Sequence, residues 1–307
     1  MLLAGLSASI SLLERVRVRS VFDVVESVLR IGISVEIADN PEVIFSSKFP
    51  HPFRLHPRLD DLLYCKNAML LEALREQVLH ANQEIARRGL APHTFGNASG
   101  IDRSDIARSG RGPLVVIKPS GVDYATMTPA DLVVTDLDGN IVEGALRPSS
   151  DLDTHTLLYR EFPQIGGIVH THSEFATSWA QAGRAIPCLG TTHADYFHGP
   201  VPVTAPLTAE EVAEAYVRNT GAVIARLFKQ QHLDPAAVPG VLVAGHAPFA
   251  WGKTPAEAVE HADVLEYIAR LAFRSALLGA SEAGIPSYVG EHHYLRKHGP
   301  RATYGQL

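Results

Sequence analysis

Apolar residues recur at helical spacing after residue 69. Between residues 70 and 88 they fall three or four positions apart, which predicts an amphipathic helix. The Thr208/Glu211 pair has the spacing of a capping box, and Thr254-Pro255 marks a helix start. Further helices are predicted at residues 153–161, 175–182, 209–229 and 256–278.

Short β-branched runs alternate with these helices. They predict strands at residues 113–117 and 132–135, and two buried strands at 166–172 and 240–244. Asp138-Gly139 precedes Ile141-Val142, which predicts a hairpin. The pattern therefore predicts an α/β layered domain whose sheet is antiparallel in part.

Residues 1–68 differ from the rest of the chain. Closely spaced prolines from Pro50 to Pro57 interrupt regular structure, and the segment carries no chemical motif. Met69 directly precedes the amphipathic helix. We therefore expect two parts, with 69–307 as the main domain. Residues 1–68 are then an extension of unknown role, either an over-long gene start or a lineage-specific addition.

Composition narrows the class of protein. The 307 residues are 46% hydrophobic and carry a net charge of -6, which excludes a disordered chain and disfavours a nucleic-acid binder. Two cysteines cannot build a disulfide framework, and no apolar run is long enough for a membrane span. These features predict a cytoplasmic protein, and the 15 histidines prompt a search for metal ligands.

His170 and His172 are two positions apart in a predicted strand, so their side chains share one face. His246 follows another predicted strand, and the carboxylate of Asp151 could complete a set of three imidazoles and one carboxylate that suits zinc. Spacing does not rank these residues above His155 and His193. A His-X-His pair also occurs on ordinary polar strand faces.

Three small polar segments are candidate anion sites. Residues 148–151 precede a helix, whose free amides and serine hydroxyls attract phosphate. Residues 118–121 offer a lysine, a hydroxyl and a flexible turn, and residues 96–99 are predicted as a third polar turn. Each segment is equally compatible with an ordinary turn or helix cap.

Acid–base candidates concentrate in residues 191–198 and in the tail, 292–306. A solvated tail is the alternative interpretation. Tyr304 could act as an acid or base if another subunit shields it from water.

Together these segments resemble the L-ribulose-5-phosphate 4-epimerases of the class II aldolase/adducin family. The resemblance runs from Met69 to Gln306 and covers none of residues 1–68. The matching blocks are Phe95-Gly96-Asn97, residues 117–124, 148–151, 166–173, 190–197, 239–243, 248–253 and 294–299.

The resemblance implies a class II aldolase-like layered domain, with a central, largely antiparallel sheet flanked by helices. It implies that residues 69–307 form the catalytic domain of a homotetramer with active sites at subunit interfaces. It assigns a divalent metal, usually zinc or else an ion such as manganese, to Asp151, His170, His172 and His246. It assigns the substrate phosphate to Asn97, Lys118, Ser120, Gly121, Ser149 and Ser150, and acid–base work to Asp195 and Tyr304, supported by His293.

The activity that the resemblance implies is interconversion of L-ribulose 5-phosphate and D-xylulose 5-phosphate at C4 by retro-aldol and aldol steps. The implied setting is carbohydrate metabolism in the cytoplasm, either arabinose catabolism or ascorbate use, with neither nucleic acid nor membrane as a partner. One alternative is a sugar-phosphate aldolase of the fuculose or rhamnulose type, which carries a catalytic Glu near the Asp151 position. The other is a non-catalytic, adducin-like interaction module.

Overall fold

The computed structural model describes residues 69–104, 112–281 and 283–303, and the backbone of three short strands before them. Those strands are β1 (Ser34–Ile37), β2 (Val43–Ser46) and β3 (Phe53–Arg54), which pair antiparallel in that order. Contacts between Cα atoms divide the chain into residues 1–68 and 69–307. The interpretation of residues 1–68 as an extension of unknown role stays a prediction.

The second unit is built on a seven-stranded sheet of order β7-β6-β5-β4-β8-β10-β9, in which every neighbouring pair is antiparallel. The predicted antiparallel sheet is therefore confirmed, as is the hairpin at Asp138-Gly139, which joins β6 to β7. The strands are β4 (Gly96–Asp102), β5 (Leu114–Ile117), β6 (Val133–Asp136), β7 (Ile141–Glu143), β8 (Gly167–Thr171), β9 (Gly240–Leu242) and β10 (Pro248–Gly252).

The predicted helices are present, with ends that differ by one or two residues. The Thr208/Glu211 capping box forms in both directions, and the Thr254 hydroxyl accepts a hydrogen bond from the Glu257 amide. None of the helices in the described ranges is long and apolar enough to cross a membrane. The helices are α1 (Glu72–Arg87), α2 (Leu152–Glu161), α3 (Glu174–Gln181), α4 (Thr191–Ala194), α5 (Ala209–Gln230), α6 (Pro255–Leu277) and α7 (Ser287–His298).

Alternation along the central strands sorts the core into layers. Ala98, Val169 and Ala250 pack with the apolar residues of α1 and α6 on one face of the sheet. On the opposite face, Ile168 and Phe249 pack with residues of α2 and α5. His170 is two residues from Ile168, so its side chain lies on the face that α2 and α5 cover.

The prediction of a polar turn at residues 96–99 was wrong, because these residues begin β4, a central strand of the sheet. Small residues are needed there for close packing. A Cβ on Gly96 would lie 2.8 Å from the carbonyl oxygen of His170, and one on Gly100 would lie 2.7 Å from Leu74 Cδ1. The small residues at the start of β4 therefore allow the close approach of neighbouring groups and do not mark a turn.

Asn82 of α1 joins that helix to the middle of β4. Its Oδ1 accepts a hydrogen bond from the Ala98 amide at 2.8 Å, and its Nδ2 donates to the Ala98 carbonyl at 3.1 Å. Asn82 and Ala98 are both fully buried. One side chain therefore satisfies the two backbone groups of a residue next to Asn97.

We expect Asn82→Ala to lower the free energy of unfolding by about 2–4 kcal/mol, because it leaves a buried amide and a buried carbonyl without partners. Urea unfolding followed by circular dichroism measures the loss. Gln77→Ala, on the exposed side of the same helix, is the control and should change stability little. Equal stability of the two variants would contradict the proposed link.

His193 of α4 generates a pH dependence of stability. It is 4% exposed, and its Nε2 donates to the Gly199 carbonyl at 2.8 Å. Burial lowers the pKa of His193 to about 4. Below about pH 6.5 this histidine is protonated in the unfolded chain but stays neutral in the folded chain. The free energy of unfolding therefore falls as the pH drops from about 6.5 to about 4.

We expect His193→Gln, which keeps a donor but does not titrate, to remove about 3 kcal/mol of the stability lost between pH 7 and pH 4. Urea unfolding at several pH values measures it. The exposed His80→Gln should retain the wild-type pH dependence. An unchanged pH dependence in His193→Gln would refute the assignment.

Candidate functional site

Three histidines converge at one end of β8. His170 is in the strand, His172 directly follows it, and His246 is in the turn between β9 and β10. The ring centroids lie 4.9 Å apart for His170 with each of the others, and 5.2 Å apart for His172 and His246. One nitrogen from each ring lies within 4.8 Å of the others. The described residues contain no other such group of histidine, cysteine and carboxylate side chains.

Neighbouring backbone orients these rings. His170 Nδ1 is 2.9 Å from the Pro248 carbonyl oxygen, which can only accept, so Nδ1 carries the proton and Nε2 keeps its lone pair. The Phe249 ring stacks on His170 at 4.2 Å. Gly245 has a φ of +71°, a conformation that suits glycine in the tight turn carrying His246.

Burial keeps the three imidazoles neutral near pH 7. It lowers the pKa of His170 to about 3, and it also lowers the pKa values of His172 and His246. A neutral imidazole is the form that binds metal, so no proton needs to leave before coordination. The group is therefore prepared for a divalent ion.

Asp151 precedes α2 and lines the same cavity as the three histidines. Its side chain does not cap its own helix; Oδ2 accepts a hydrogen bond of 2.6 Å from Asn97 Nδ2. Burial acts to raise the pKa of Asp151, but nearby imidazoles and the Asn97 amide outweigh it and hold that pKa below its ordinary value. Asp151 is therefore a carboxylate beside the three-histidine group, which itself consists of imidazoles alone.

The cavity has a volume of about 620 Å³ and brings together two predicted sets of residues. All four predicted metal ligands and all six predicted phosphate-binding residues line it. Its other lining residues are Thr94, Phe95, Gly96, Pro119, Tyr216 and Val217.

Two loops form one end of this cavity. A bridge pairs Pro119 with Pro148, and the Ser149 amide donates to the Lys118 carbonyl at 2.9 Å. The Lys118 side chain is 2% exposed, lies 4.8 Å from the centre of the Tyr124 ring, and forms no salt bridge with any residue that the structure describes. Burial lowers its pKa. A buried ammonium without a carboxylate partner is suited to binding an anion.

Asn97 contributes a second unpaired group. Its Oδ1 is buried and has no hydrogen-bond partner in the described ranges, while its Nδ2 is committed to Asp151. A buried carbonyl oxygen without a donor is costly unless a ligand pairs with it. Asn97 can therefore hold Asp151 and accept a donor from a bound ligand at the same time.

Asp195 and His293 do not line this cavity. They meet elsewhere, where His293 Nδ1 donates to Asp195 Oδ1 at 3.0 Å and Arg296 approaches the same carboxylate at 3.4 Å. The tail is therefore partly ordered as α7 against the 191–198 segment, not simply solvated. Tyr304 lies outside the described residues.

Tyr216 and Val217 are cavity residues that the sequence analysis missed. The Tyr216 hydroxyl is 3.5 Å from His246 Nδ1, a long contact. The preceding residue, Ala215, has non-helical angles (φ -162°, ψ 74°) inside α5. Regular helical periodicity hides such a break, so the sequence offered no signal for it.

Comparisons with known proteins agree with the geometry. The family model described as "Class II Aldolase and Adducin N-terminal domain" matches residues 76–273. Proteins named L-ribulose-5-phosphate 4-epimerase UlaF from Salmonella paratyphi B and Salmonella paratyphi A are each 50% identical over 236 residues, which is 77% of this chain and 100% of theirs. These matches confirm the resemblance found in the sequence blocks.

A solved structure of an L-fuculose 1-phosphate aldolase has a TM-score of 0.61 and 23% identity, and the match covers 74% of this chain and 95% of that one. At this identity the match shows a shared fold and no more. It confirms the predicted class II aldolase-like layered domain.

We expect His172→Asn to weaken binding of a divalent ion by more than the roughly 10–100-fold typical for loss of an outer-shell partner, because it removes a ligand nitrogen. Competition with a chelating dye measures the dissociation constant for Zn²⁺. The exposed His80→Asn is the matched control and should bind as the wild type. Wild-type affinity in His172→Asn would remove this residue from the site.

Proposed function

Because the chain belongs to the class II aldolase and adducin family, we propose that it is a metal-dependent epimerase of L-ribulose 5-phosphate and D-xylulose 5-phosphate, acting at C4. The 50% identity to relatives named as L-ribulose-5-phosphate 4-epimerases supports this substrate pair. The observation that carries the proposal is one cavity that joins the three imidazoles to the buried Lys118.

The proposed metal is Zn²⁺, or another divalent ion such as Mn²⁺, held by His170, His172, His246 and Asp151. The donor set fits, because neutral imidazole nitrogens and a carboxylate oxygen are preferred zinc ligands. When bound, the ion supplies Lewis-acid stabilisation of the negative charge that develops on the sugar oxygens.

The proposed phosphate site is the other end of the cavity. Lys118 supplies the positive charge, and the hydroxyls of Ser120, Ser149 and Ser150 supply donors. Backbone amides at Gly121 and at the start of α2 add to a positive field. Asn97 lies between the two ends and links the carboxylate to the ligand space.

The C4 hydrogen of the substrate is not acidic, so direct proton abstraction is unfavourable. Breaking the C3–C4 bond avoids this problem: the C4 hydroxyl loses its proton, C4 becomes an aldehyde, and the electron pair passes to C3 and the adjacent carbonyl. The proposed phosphate site holds the glycolaldehyde phosphate fragment in the cavity while its aldehyde group rotates. Re-forming the bond on the other face inverts C4.

The C4 oxygen must lose a proton on one face and regain one on the other. We assign these roles to Asp195 and Tyr304, with His293 orienting Asp195. Asp195 does not line the cavity of its own chain, which supports the proposal that a neighbouring copy supplies the acid–base groups. The proposal therefore includes a homotetramer with active sites at subunit interfaces.

An aldolase of the fuculose phosphate type is the second candidate, since an L-fuculose 1-phosphate aldolase shares the fold. The shorter Asp151 in place of a glutamate and the 50% identity to named epimerases favour the first candidate. A non-catalytic interaction module does not need intact ligands, yet all four proposed ligands line one cavity. We also propose a cytoplasmic location and a role in carbohydrate metabolism, in either arabinose or ascorbate use.

We expect purified protein with Zn²⁺ or Mn²⁺ to convert L-ribulose 5-phosphate to D-xylulose 5-phosphate, and to release no dihydroxyacetone phosphate from L-fuculose 1-phosphate. Coupled enzyme assays measure both products, and removal of metal by a chelator should abolish turnover. His172→Asn is the inactive control. Release of dihydroxyacetone phosphate, with L-ribulose 5-phosphate left unchanged, would establish the aldolase instead.

A further inference from the structure

The buried ammonium of Lys118 lies against the aromatic ring of Tyr124. Lys118 Nζ is 4.8 Å from the centre of that ring, a distance at which a cation–π contact is attractive. The ammonium also donates a hydrogen bond to the Pro119 carbonyl at 3.2 Å. Lys118 lines the cavity, whereas Tyr124 is not among its lining residues. Tyr124 therefore contacts Lys118 without taking the space that a ligand would fill.

The Tyr124 ring is held in place by its own contacts. A turn with Gly121 at a φ of +71° separates it from Lys118 in sequence. Its hydroxyl donates to the Gly96 carbonyl at 2.8 Å, at the start of β4. The ring is buried in the apolar cluster that includes Ile85 of α1 and Val169 of β8. Burial raises the pKa of Tyr124, so the hydroxyl keeps the proton that it donates.

A ring face differs from a carboxylate as the neighbour of an ammonium. A carboxylate would neutralise the positive charge and compete with a bound anion, whereas a ring attracts the ammonium through its quadrupole and carries no net charge. Asp123 precedes Tyr124 but is exposed, and its Oδ1 accepts a hydrogen bond from the Ala125 amide at 2.8 Å. The positive charge of Lys118 therefore remains available to an anion in the cavity.

We propose that Tyr124 is a positioning residue of the phosphate site. Its ring face holds the Lys118 ammonium at the cavity wall and stabilises the positive charge without neutralising it, and its hydroxyl anchors the ring to Gly96. Tyr124 acts through Lys118 and does not touch the substrate. The inference rests on the proposed function in one respect, the assignment of Lys118 to the substrate phosphate.

Binding of inorganic phosphate by the full chain tests this arrangement, and titration followed by ³¹P NMR measures the dissociation constant. Tyr124→Leu removes the ring, and we expect it to raise the dissociation constant about fivefold or more. Tyr124→Phe keeps the ring face and loses the hydroxyl, so its dissociation constant should stay within about twofold of the wild-type value. Equal weakening in both variants would show that the ring face is not what matters, and would overturn the inference.

A double-mutant cycle with Lys118→Met separates positioning from a general effect on the fold. Because Lys118→Met removes the ammonium, Tyr124→Leu should have no further effect on phosphate affinity in that background. If Tyr124→Leu weakens binding by the same factor with and without Lys118, the inference is wrong. Tyr267→Leu is the matched control, since Tyr267 makes a cation–π contact with Arg270 at 5.4 Å and does not line the cavity. It should bind phosphate as the wild type does.

Fluorinated phenylalanines at position 124 decide the matter should Tyr124→Leu fail to fold. Fluorine withdraws electron density from the ring face and changes the ring shape little, so the attraction for an ammonium weakens while the packing stays. Phosphate affinity should fall stepwise from Tyr124→Phe as fluorine atoms are added to the ring. Equal affinity across the series would refute the positioning role.

Lys118→Met alone separates this inference from the proposed function. Wild-type phosphate affinity in that variant rejects Lys118 as a phosphate-binding residue, and overturns both the inference and the proposed phosphate site. Weaker binding in Lys118→Met, with wild-type binding in Tyr124→Leu, rejects the positioning role and leaves the phosphate site standing.

Discussion

The register of β8 between β4 and β10 is the constraint on which the cavity depends. His170 lies opposite Asn97 on one side and Phe249 on the other. Because side chains alternate along a strand, a slip of one residue would turn His170 toward α1 and α6 and present Val169 to the cavity. Close packing of Gly96 against the His170 carbonyl helps to define that register. The sheet therefore sets the positions of a metal-ligand candidate, its stacking partner and the amide that holds Asp151.

Burial determines the chemistry of the cavity, and it also costs the folded state free energy. Polar groups removed from water destabilise a fold unless they are paired. Among the described residues, Asn97 Oδ1 has no hydrogen-bond partner, and the Lys118 ammonium donates to the Pro119 carbonyl but forms no salt bridge. The imidazoles escape the larger penalty because they remain neutral. A buried ammonium without a carboxylate partner and a group of neutral imidazoles therefore suit the phosphate and the metal ion of the proposed function.

Local patterns in the sequence predicted most of the helices and the β6–β7 hairpin, because periodicity and turn chemistry act over a few residues. The His170/His172 pair was visible for the same reason. Nothing local distinguished His246 from His155 or His193, and only the resemblance did so, since the grouping depends on strands far apart in sequence. β4 was missed because its small residues are also those of turns. Tyr216 was missed because nothing in the regular helical pattern marks the break at Ala215.

The proposed reaction gives a chemical reason why the predicted metal and phosphate ligands share one cavity while the predicted acid–base residue Asp195 lies elsewhere. Metal ligands and phosphate anchors act equally on both C4 epimers, so one cavity can hold them all. In the proposed reaction, proton transfer at the C4 oxygen occurs on opposite faces of the same carbon, so two acid–base groups on opposite sides of it are needed. Asp195 bonds to His293 and does not line the cavity of its own chain, so the proposed acid–base role requires a neighbouring copy. In the proposed function, inversion of C4 therefore depends on assembly of several copies, whereas binding of the metal and the phosphate does not.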